Sequence, residues 1–269
     1  MSELISGIVK CWNGYGMSYI IGARNTLIVS FIGTVVGCII GFGVGIVQTI
    51  PKSKSDPLWK RALLFLVNLI LKVYVEVFRG TPMIVQSVFI YFGAKMLFNI
   101  QMNIWFAALF IVSINTGAYM AETVRGGILS IDPGQTEGAK AIGMTHFQTM
   151  MSVILPQAFR NIIPQIGNNF IINIKDTSVL SVISFADLFF THKSVVGALY
   201  LYFPSACIVM AIYLTMTVLA SFLLRLLENK LDGDDSYDLA TTDTLAYTSG
   251  LLSYHPKESR HRKTARGGN

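Results

Sequence analysis

Long apolar runs alternate with short polar connections along most of the 269-residue chain. Residues 26–48, 100–121 and 204–224 are uncharged runs of 21 to 23 residues, and each reaches the length of about 20 residues that a membrane-spanning helix needs. Residues 82–98 and 156–183 are apolar runs that carry a few charges. Because lipid offers the backbone no hydrogen-bond partners, all five runs are predicted to span the membrane as helices.

Residues 62–78 form an ambiguous sixth segment between the first two of these runs. Their first ten residues are apolar, whereas Lys72, Glu76 and Arg79 follow at spacings that place them near one helical face. This pattern predicts an amphipathic helix that lies at the membrane interface. A sixth spanning helix is the alternative.

The distribution of basic residues favours five crossings over six. Lys and Arg collect at 51–61, at 125–157 and near the C-terminus, and such regions are expected on the cytoplasmic side. Five crossings place all three basic regions on the cytoplasmic side and leave the N-terminus outside. No cleaved signal peptide is expected at the N-terminus. The predicted fold class is an all-α integral membrane protein with five transmembrane helices plus an interfacial helix. Its parts are an extracytoplasmic segment at 1–22, a transmembrane domain at 23–229 with a cytoplasmic loop at 125–157, and a polar cytoplasmic tail at 230–269.

The composition agrees with a membrane domain and disfavours other classes of protein. Only 13% of the residues are charged, against about a quarter in soluble domains, and the mean hydropathy is +0.55. The net charge of +6 resides in connections and the tail, so no nucleic-acid partner is expected. Neither the three cysteines nor the four histidines show the spacing of a metal site or a disulfide framework.

The cytoplasmic loop at 125–157 is longer than an ordinary connection within a membrane bundle, and its sequence predicts internal structure. Asp132 begins a turn sequence, and Thr136 is followed by residues that predict a short capped helix. Gly143 is a predicted helix end, and Pro156 is a predicted start of the next helix. A structured loop of this length predicts contact with a partner.

The loop and its flanks resemble a known family. Glu137-Gly138-Ala139, then Gly143 and Leu155-Pro156, resemble the EAA loop of bacterial ABC importer permeases, with Gly138 in place of the usual alanine. FRGTP at 78–82, NTGAY at 115–119, ETVRGG at 122–127 and KDTS at 175–178 resemble the polar amino acid permeases of the histidine/glutamine/arginine type. The resemblance implies the type I ABC importer permease fold and import of a polar amino acid across the bacterial inner membrane.

The resemblance also implies the partners and the residues that couple transport to ATP. The short helix would dock into separate ABC ATPase subunits, which carry the ATP and Mg²⁺; no cofactor is expected on this chain. A second permease, either a copy or a homologue, an extracytoplasmic amino-acid-binding protein and membrane lipid are the other expected partners. An exposed carboxylate that only stabilises the helix dipole is an equally good reading of Glu137 by itself. The coupling residues implied are Glu137, Gly138, Ala139, Ala141, Gly143 and Pro156.

The chain contains no phosphate-binding loop of the Gly-x4-Gly-Lys-Ser/Thr type and no Gly-Lys dipeptide. It is therefore not expected to be an enzyme. A secondary transporter driven by an ion gradient and a non-transporting scaffold for an ATPase are the alternative functions. No repeated segment favours the first, and the polar residues within the apolar runs argue against the second.

Two polar stripes lie within the apolar runs. Asn115, Tyr119 and Glu122 share one helical face, and Asn169, Asn173 and Asp176 repeat that spacing. Asparagines that only tie helices together are the structural alternative. The hypothesis is that Glu122, Lys175, Asp176 and two hydroxyls line a site for a zwitterionic amino acid, with Asp187 and Lys193 as weak candidates for the contact with the binding protein. The predicted substrate path comprises Asn115, Tyr119, Glu122, Lys175, Asp176, Thr177 and Ser178.

Glycine recurs at every fourth position of the first apolar run, at Gly33, Gly37, Gly41 and Gly45. This spacing lines one helical face with hydrogen atoms and permits close approach of another helix. Packing within the chain and contact with a second subunit are equally good interpretations.

Overall fold

A computed structural model describes residues 2–50 and 57–232, with side chains up to residue 227. The basic connection at 51–56 and nearly all of the predicted tail at 230–269 lie outside this description. Every regular element in the described chain is helical. In order, these are α1 (Ser2–Gln48), α2 (Leu58–Gly80), α3 (Met83–Phe98), α4 (Ile104–Leu129), α5 (Pro133–Ala141), α6 (His146–Thr149), a π-helical turn (Met150–Ile154), α7 (Leu155–Asp176), a 3₁₀ turn (Thr177–Ile183), α8 (Leu188–Leu199) and α9 (Tyr202–Asp232).

The five predicted apolar runs fall in α1, α3, α4, α7 and α9. Among the described residues, α1, α4 and the Tyr202–Leu227 part of α9 are long and apolar enough to cross a membrane. His146–Ile183 and Leu188–Leu199 meet at 50° and together form a fourth, bent candidate, and Met83–Phe98 is a shorter apolar helix.

Helix α1 begins at Ser2, far ahead of the predicted first span at residue 26. Its 47 residues make a helix roughly 70 Å long, more than twice the thickness of the hydrocarbon core. The segment at 1–22 is thus helical over the part that the structure describes. Its inner face packs on α8 and the start of α9, where Tyr19 donates or accepts a 2.7 Å hydrogen bond with Ser205. This long-range contact is what a local sequence pattern does not reveal.

The glycine stripe of α1 packs against α4, which favours the intramolecular interpretation. A Cβ atom added to Gly33 would lie 2.5 Å from Val112 Cγ1, and one added to Gly45 would lie 2.8 Å from Val124 Cβ. Real Cβ atoms do not approach so closely, so the two backbones touch only because these positions lack side chains. We call this contact the α1–α4 seam; on α4 it is formed by Val112, Thr116, Met120 and Val124, which also recur every fourth residue.

The contact registers give the relative directions of the helices. Residue numbers rise together along the seam, so α1 and α4 are parallel. Helix α7 is antiparallel to α4, because Asn173 contacts Thr116 whereas the earlier residue Ile162 faces the later residue Gly127. Two parallel helices require one net return crossing between them, so α2 and α3 together cross once. This register agrees with the predicted total of five crossings, and the interfacial position of residues 62–78 stays a prediction.

Candidate functional site

Helix α5, in the loop predicted to be cytoplasmic, is capped at both ends by its own residues. The Asp132 carboxylate accepts a 2.6 Å hydrogen bond from the Gly134 backbone N–H, and Pro133 begins the helix. The predicted cap at Thr136 is therefore wrong, because the helix starts three residues earlier. At the other end Gly143 has φ +83°, and Met144 N–H donates to the Ala139 carbonyl over 3.1 Å. Gly143 thus ends the helix as predicted, in a Schellman motif.

The residues expected to couple to an ATPase lie mostly on the surface of this segment. Glu137, Gly138 and Ala141 are exposed, whereas Ala139 is 6% exposed and packs on the chain itself. A side chain added at Gly138 would meet no atom of this chain within 4 Å. Pro156 is exposed as the second residue of α7, which follows α6 through the π-helical turn without a break. The outward face of α5 is thus unused by the fold.

The corner between α2 and α3 lies beside the middle of α4. Asn115 donates 3.2 Å and 3.0 Å hydrogen bonds to the Phe78 carbonyl and to Gln86 Oε1. Gln86 in turn donates to the carbonyls of Phe78 and Thr81 over 2.9 Å and 2.8 Å. These side-chain amides donate hydrogen bonds to backbone carbonyls at the helix break. Without them, those carbonyls would lack a hydrogen-bond donor in the membrane. Asn115 therefore holds a helix corner, and a role in the substrate path stays a prediction.

A second polar layer joins three helices at the same depth. The amide of Asn173 on α7 donates to Thr34 Oγ1 on α1 over 2.7 Å and to Thr116 Oγ1 on α4 over 3.0 Å. All three side chains are buried. Asn173 thus ties helices together, as the structural alternative holds. Asn169, one turn earlier, donates to the Gln165 carbonyl of its own helix over 2.9 Å.

Glu122 forms ion pairs with two arginines. It contacts Arg79 at the end of α2, and Arg125 Nη2 lies 3.3 Å from Glu122 Oε1 on α4. The Arg79 guanidinium also lies 5.5 Å from the ring centroid of Tyr119, within the range of a cation–π contact. We call Arg79, Tyr119, Glu122 and Arg125 the arginine–glutamate cluster. The polar faces predicted on α2 and α4 meet in this cluster.

Lys175 and Ser178 line a different site, a cavity of about 410 Å³ between α7, α8 and α9. Asp176 and Thr177 are not among the lining residues. Asp176 is exposed, and the buried Thr177 hydroxyl donates to the Ile174 carbonyl over 3.1 Å. The rest of the wall combines two hydroxyls with apolar groups: Phe189, Met210, Tyr213, Leu214 and Thr217.

The register between α4 and α7 keeps Glu122 apart from Asp176. Asn173 is level with Thr116, and the helices run in opposite directions. At 1.5 Å per residue, Glu122 and Asp176 lie roughly 14 Å apart along the bundle. They do not share one amino-acid-sized site, and the single-site hypothesis is corrected to two separate polar regions.

Asp187 is wholly buried, so it does not offer a contact to a binding protein. Its carboxylate caps α8 by accepting a 2.8 Å hydrogen bond from the Phe190 N–H. Lys193 is exposed on the same helix and stays a candidate.

Gln86, Arg79 and Arg125 make polar contacts at the described sites, and the sequence pattern did not assign them to a site. The signal for Arg79 was present, since it shares a face with Lys72 and Glu76, but the partner helix was not inferable from spacing. Gln86 lies beside Ser87 in an otherwise mostly apolar run, and a polar side chain at membrane depth is a signal for a buried hydrogen bond.

The helix bundle and its structured loop agree with the architecture of a known family of transport proteins. Residues 60–233 match the family described as "Binding-protein-dependent transport system inner membrane component", and the chain belongs to this family. It is thus an inner-membrane component of an ABC importer, with the fold of the type I permeases. This membership overrides both alternatives, the secondary transporter and the scaffold.

Individual relatives are amino acid permeases. The chain is 37% identical over 211 residues to the glutamine transport system permease protein GlnP of Escherichia coli K12, covering 78% of this chain and 91% of that protein. It is 34% identical to the arginine transport system permease protein ArtQ of Bacillus subtilis 168, covering 75% of this chain and 88% of that protein. The predicted resemblance to polar amino acid permeases is confirmed.

Solved structures agree with the architecture. A crystal structure of an amino acid ABC transporter with histidines superposes with a TM-score of 0.70 at 37% identity, covering 81% of this chain and 95% of that one. The inward-facing methionine transporter MetNI superposes with a TM-score of 0.66 at 19% identity, covering 81% of this chain and 97% of that one. This similarity supports the fold alone.

Proposed function

We propose that this chain moves a polar amino acid across the inner membrane while a separate ATPase supplies the energy. The observation that carries the proposal is the 37% identity over 211 residues to a glutamine permease, supported by a solved amino acid transporter of the same fold. Charged side chains in the two separate polar regions, at Glu122 and at Lys175, would offer a zwitterion successive polar contacts along the bundle.

The outward face of α5 is the proposed docking element for the ATPase. Helix α5 presents a self-capped surface formed by Glu137, Gly138, Ala141 and Gly143. Ala139 packs on the rest of the chain, and Pro156 lies at the adjoining start of α7. ATP and Mg²⁺ belong to the partner, and this chain needs no cofactor of its own. Movement of the docked helix would then tilt the bundle between two states.

The remaining partners follow from membership of a binding-protein-dependent system. An extracytoplasmic amino-acid-binding protein delivers substrate, and a second permease completes the path between two ATPase subunits. Lipid covers the large apolar side chains on the outside of the bundle, such as Phe31 and Ile39. The excess of basic residues in the loops supports an outer N-terminus and a cytoplasmic C-terminus.

The docking proposal is tested at Gly138, where the fold itself imposes no constraint. Gly138→Leu adds a side chain that meets nothing in this chain but fills the outward face, so copurification of the ATPase should be lost while the permease stays folded. Gly138→Ala is the matched control, and the ATPase should remain bound. Full ATPase recovery with Gly138→Leu would show that α5 is not the docking element.

Asp176 is the residue whose loss is expected to stop transport without disturbing assembly. It is exposed at the end of α7, where a carboxylate facing lipid would be costly and one facing a watery path is not. In proteoliposomes, Asp176→Ala should abolish uptake driven by ATP and the loaded binding protein, while the ATPase still copurifies. Unaltered uptake would remove Asp176 from the path.

A further inference from the structure

The arginine–glutamate cluster carries a surplus positive charge. Two guanidinium groups, Arg79 and Arg125, share the single carboxylate of Glu122. Tyr119 adds an aromatic face against Arg79 but no charge. A cluster built only to hold α2 against α4 would be satisfied by one arginine, so the second leaves binding capacity for another anion.

The cluster is partly open on one side. The side chains of Arg79, Glu122 and Arg125 are 40%, 38% and 43% exposed. Glu122 lies seven residues beyond Asn115 on α4, or roughly 10 Å from the helix corner towards the cytoplasmic loop. Charged side chains within a bundle face the interior or a watery cavity, because exposure to hydrocarbon costs several kcal/mol. The open side of the cluster is therefore part of a polar path.

The position of Arg79 is held by the fold. Arg79 occupies the last turn of α2, and the Asn115 and Gln86 amides fix the backbone on either side of it at Phe78 and Thr81. A cation in the last turn is also favoured by the helix dipole. The guanidinium is thus presented from a rigid corner at the mouth of the path.

We propose that Arg79 binds the α-carboxylate of the transported amino acid, which displaces Glu122 from it. The inference rests on the proposed function, since every amino acid offers this group whatever its side chain. A guanidinium matches a carboxylate in a two-pronged fork, and the Glu122 carboxylate already contacts the Arg79 guanidinium.

Arg125 makes the exchange possible. When the substrate carboxylate takes Arg79, Glu122 keeps its 3.3 Å contact with Arg125 and is not left unpaired. An uncompensated carboxylate at this depth would be costly, so the second arginine removes the penalty that would otherwise block displacement. Glu122 acts as an internal competitor that closes the site until substrate arrives.

The test measures direct binding of amino acids to the permease–ATPase complex in nanodiscs. The binding protein is omitted because it would itself bind amino acids through their carboxylate. Radiolabelled L-glutamine, L-arginine and L-histidine are the probes, and agmatine and histamine are the competitors that lack a carboxylate. The wild type should bind at least one probe, and unlabelled amino acid should displace it whereas the decarboxylated amine should not.

The variants separate a binding role from a structural one. Arg79→Met should weaken binding by at least about tenfold, the usual loss for a charged hydrogen-bond partner, and Arg79→Lys should give a smaller loss. Glu122→Gln should bind more tightly than wild type, because the internal competitor is gone. Lys10→Met, which removes an exposed charge near the start of α1, is the control for net charge. Gel filtration with the ATPase verifies the fold of each variant.

Several results would overturn the proposal while leaving the function intact. These are uptake by the wild type without any direct binding, equal binding by Arg79→Met and wild type, or weaker binding by Glu122→Gln. Absence of ATP-driven amino acid uptake by the wild type with its binding protein would instead refute the proposed function.

Discussion

Glycines occur in both the α1–α4 seam and helix α5, but their surroundings differ. In the seam, a Cβ at Gly41 would lie 2.8 Å from the Met120 carbonyl carbon and 2.9 Å from the Ala121 nitrogen. At Gly138 in α5, a Cβ would meet nothing within 4 Å. The seam glycines are thus explained by contacts inside the chain, whereas the space over Gly138 is left for something outside it.

The two regions are also stabilised differently. The seam buries whole faces of two long helices, so its stability comes from packing. Helix α5 has nine residues and buries only Ala139, and an isolated helix of that length is marginal in water. Its caps at Asp132 and Gly143 therefore matter more than any cap within the bundle.

Overpacking the seam should give the largest loss of stability. Gly41→Val would push β-branched atoms into the α4 backbone, which cannot move aside as a flexible side chain would. We expect a loss of about 1–3 kcal/mol or more, seen as a lower thermal unfolding midpoint in detergent. Gly43→Ala is the matched control, because that Cβ is clear of this chain. Equal midpoints for both variants would show that the seam is not closely packed.

A smaller and local effect is expected at the end of α5. Gly143 has φ +83°, so Gly143→Ala forces a side chain into the left-handed region at a cost of about 1–2 kcal/mol. Faster amide hydrogen exchange in α5, with an unchanged rate in α4, is the expected readout. Because the substitution strains the backbone at the end of α5, a loss of ATPase binding by a Gly143 variant could reflect either unfolding of α5 or loss of docking. Unchanged exchange in α5 would mean that Gly143 does not hold the helix end.

The smallest effect should follow loss of the other cap. Asp132→Ala removes the acceptor for the Gly134 N–H and should destabilise α5 by about 1 kcal/mol. Asp132→Asn keeps an acceptor oxygen and should retain most of the protection from exchange. If both variants exchanged at the wild-type rate, the helix would be held by docking on α7, where Gln157 reaches Gln135 over 3.4 Å.

Much of the fold was predictable from local patterns. The five apolar runs, a short helix in the loop and its glycine end at Gly143 follow from charge spacing and turn chemistry, whereas the start of that helix at Pro133 was not predicted. The extra length of α1 was not predicted, because its first 22 residues are held by distant contacts such as Tyr19 with Ser205.

The candidate site was predicted as a set of residues but not as an arrangement. Periodicity placed Tyr119 and Glu122 on one face of α4 correctly. It could not give the register of α7, which decides that Lys175 and Glu122 lie in separate regions. Nor could it give the partner of Arg79, because contacts between helices depend on tertiary packing rather than on spacing within one helix.

The α2–α3 corner has a consequence for biogenesis. The Phe78 carbonyl reaches its Asn115 partner across 37 residues of chain, and that residue is synthesised only with the middle of α4. Until then the corner has Gln86 alone to shield it from hydrocarbon. Helices α2 and α3 are therefore poor candidates for stepwise release into the lipid, and they should leave the translocon together with α4 as one inserted unit.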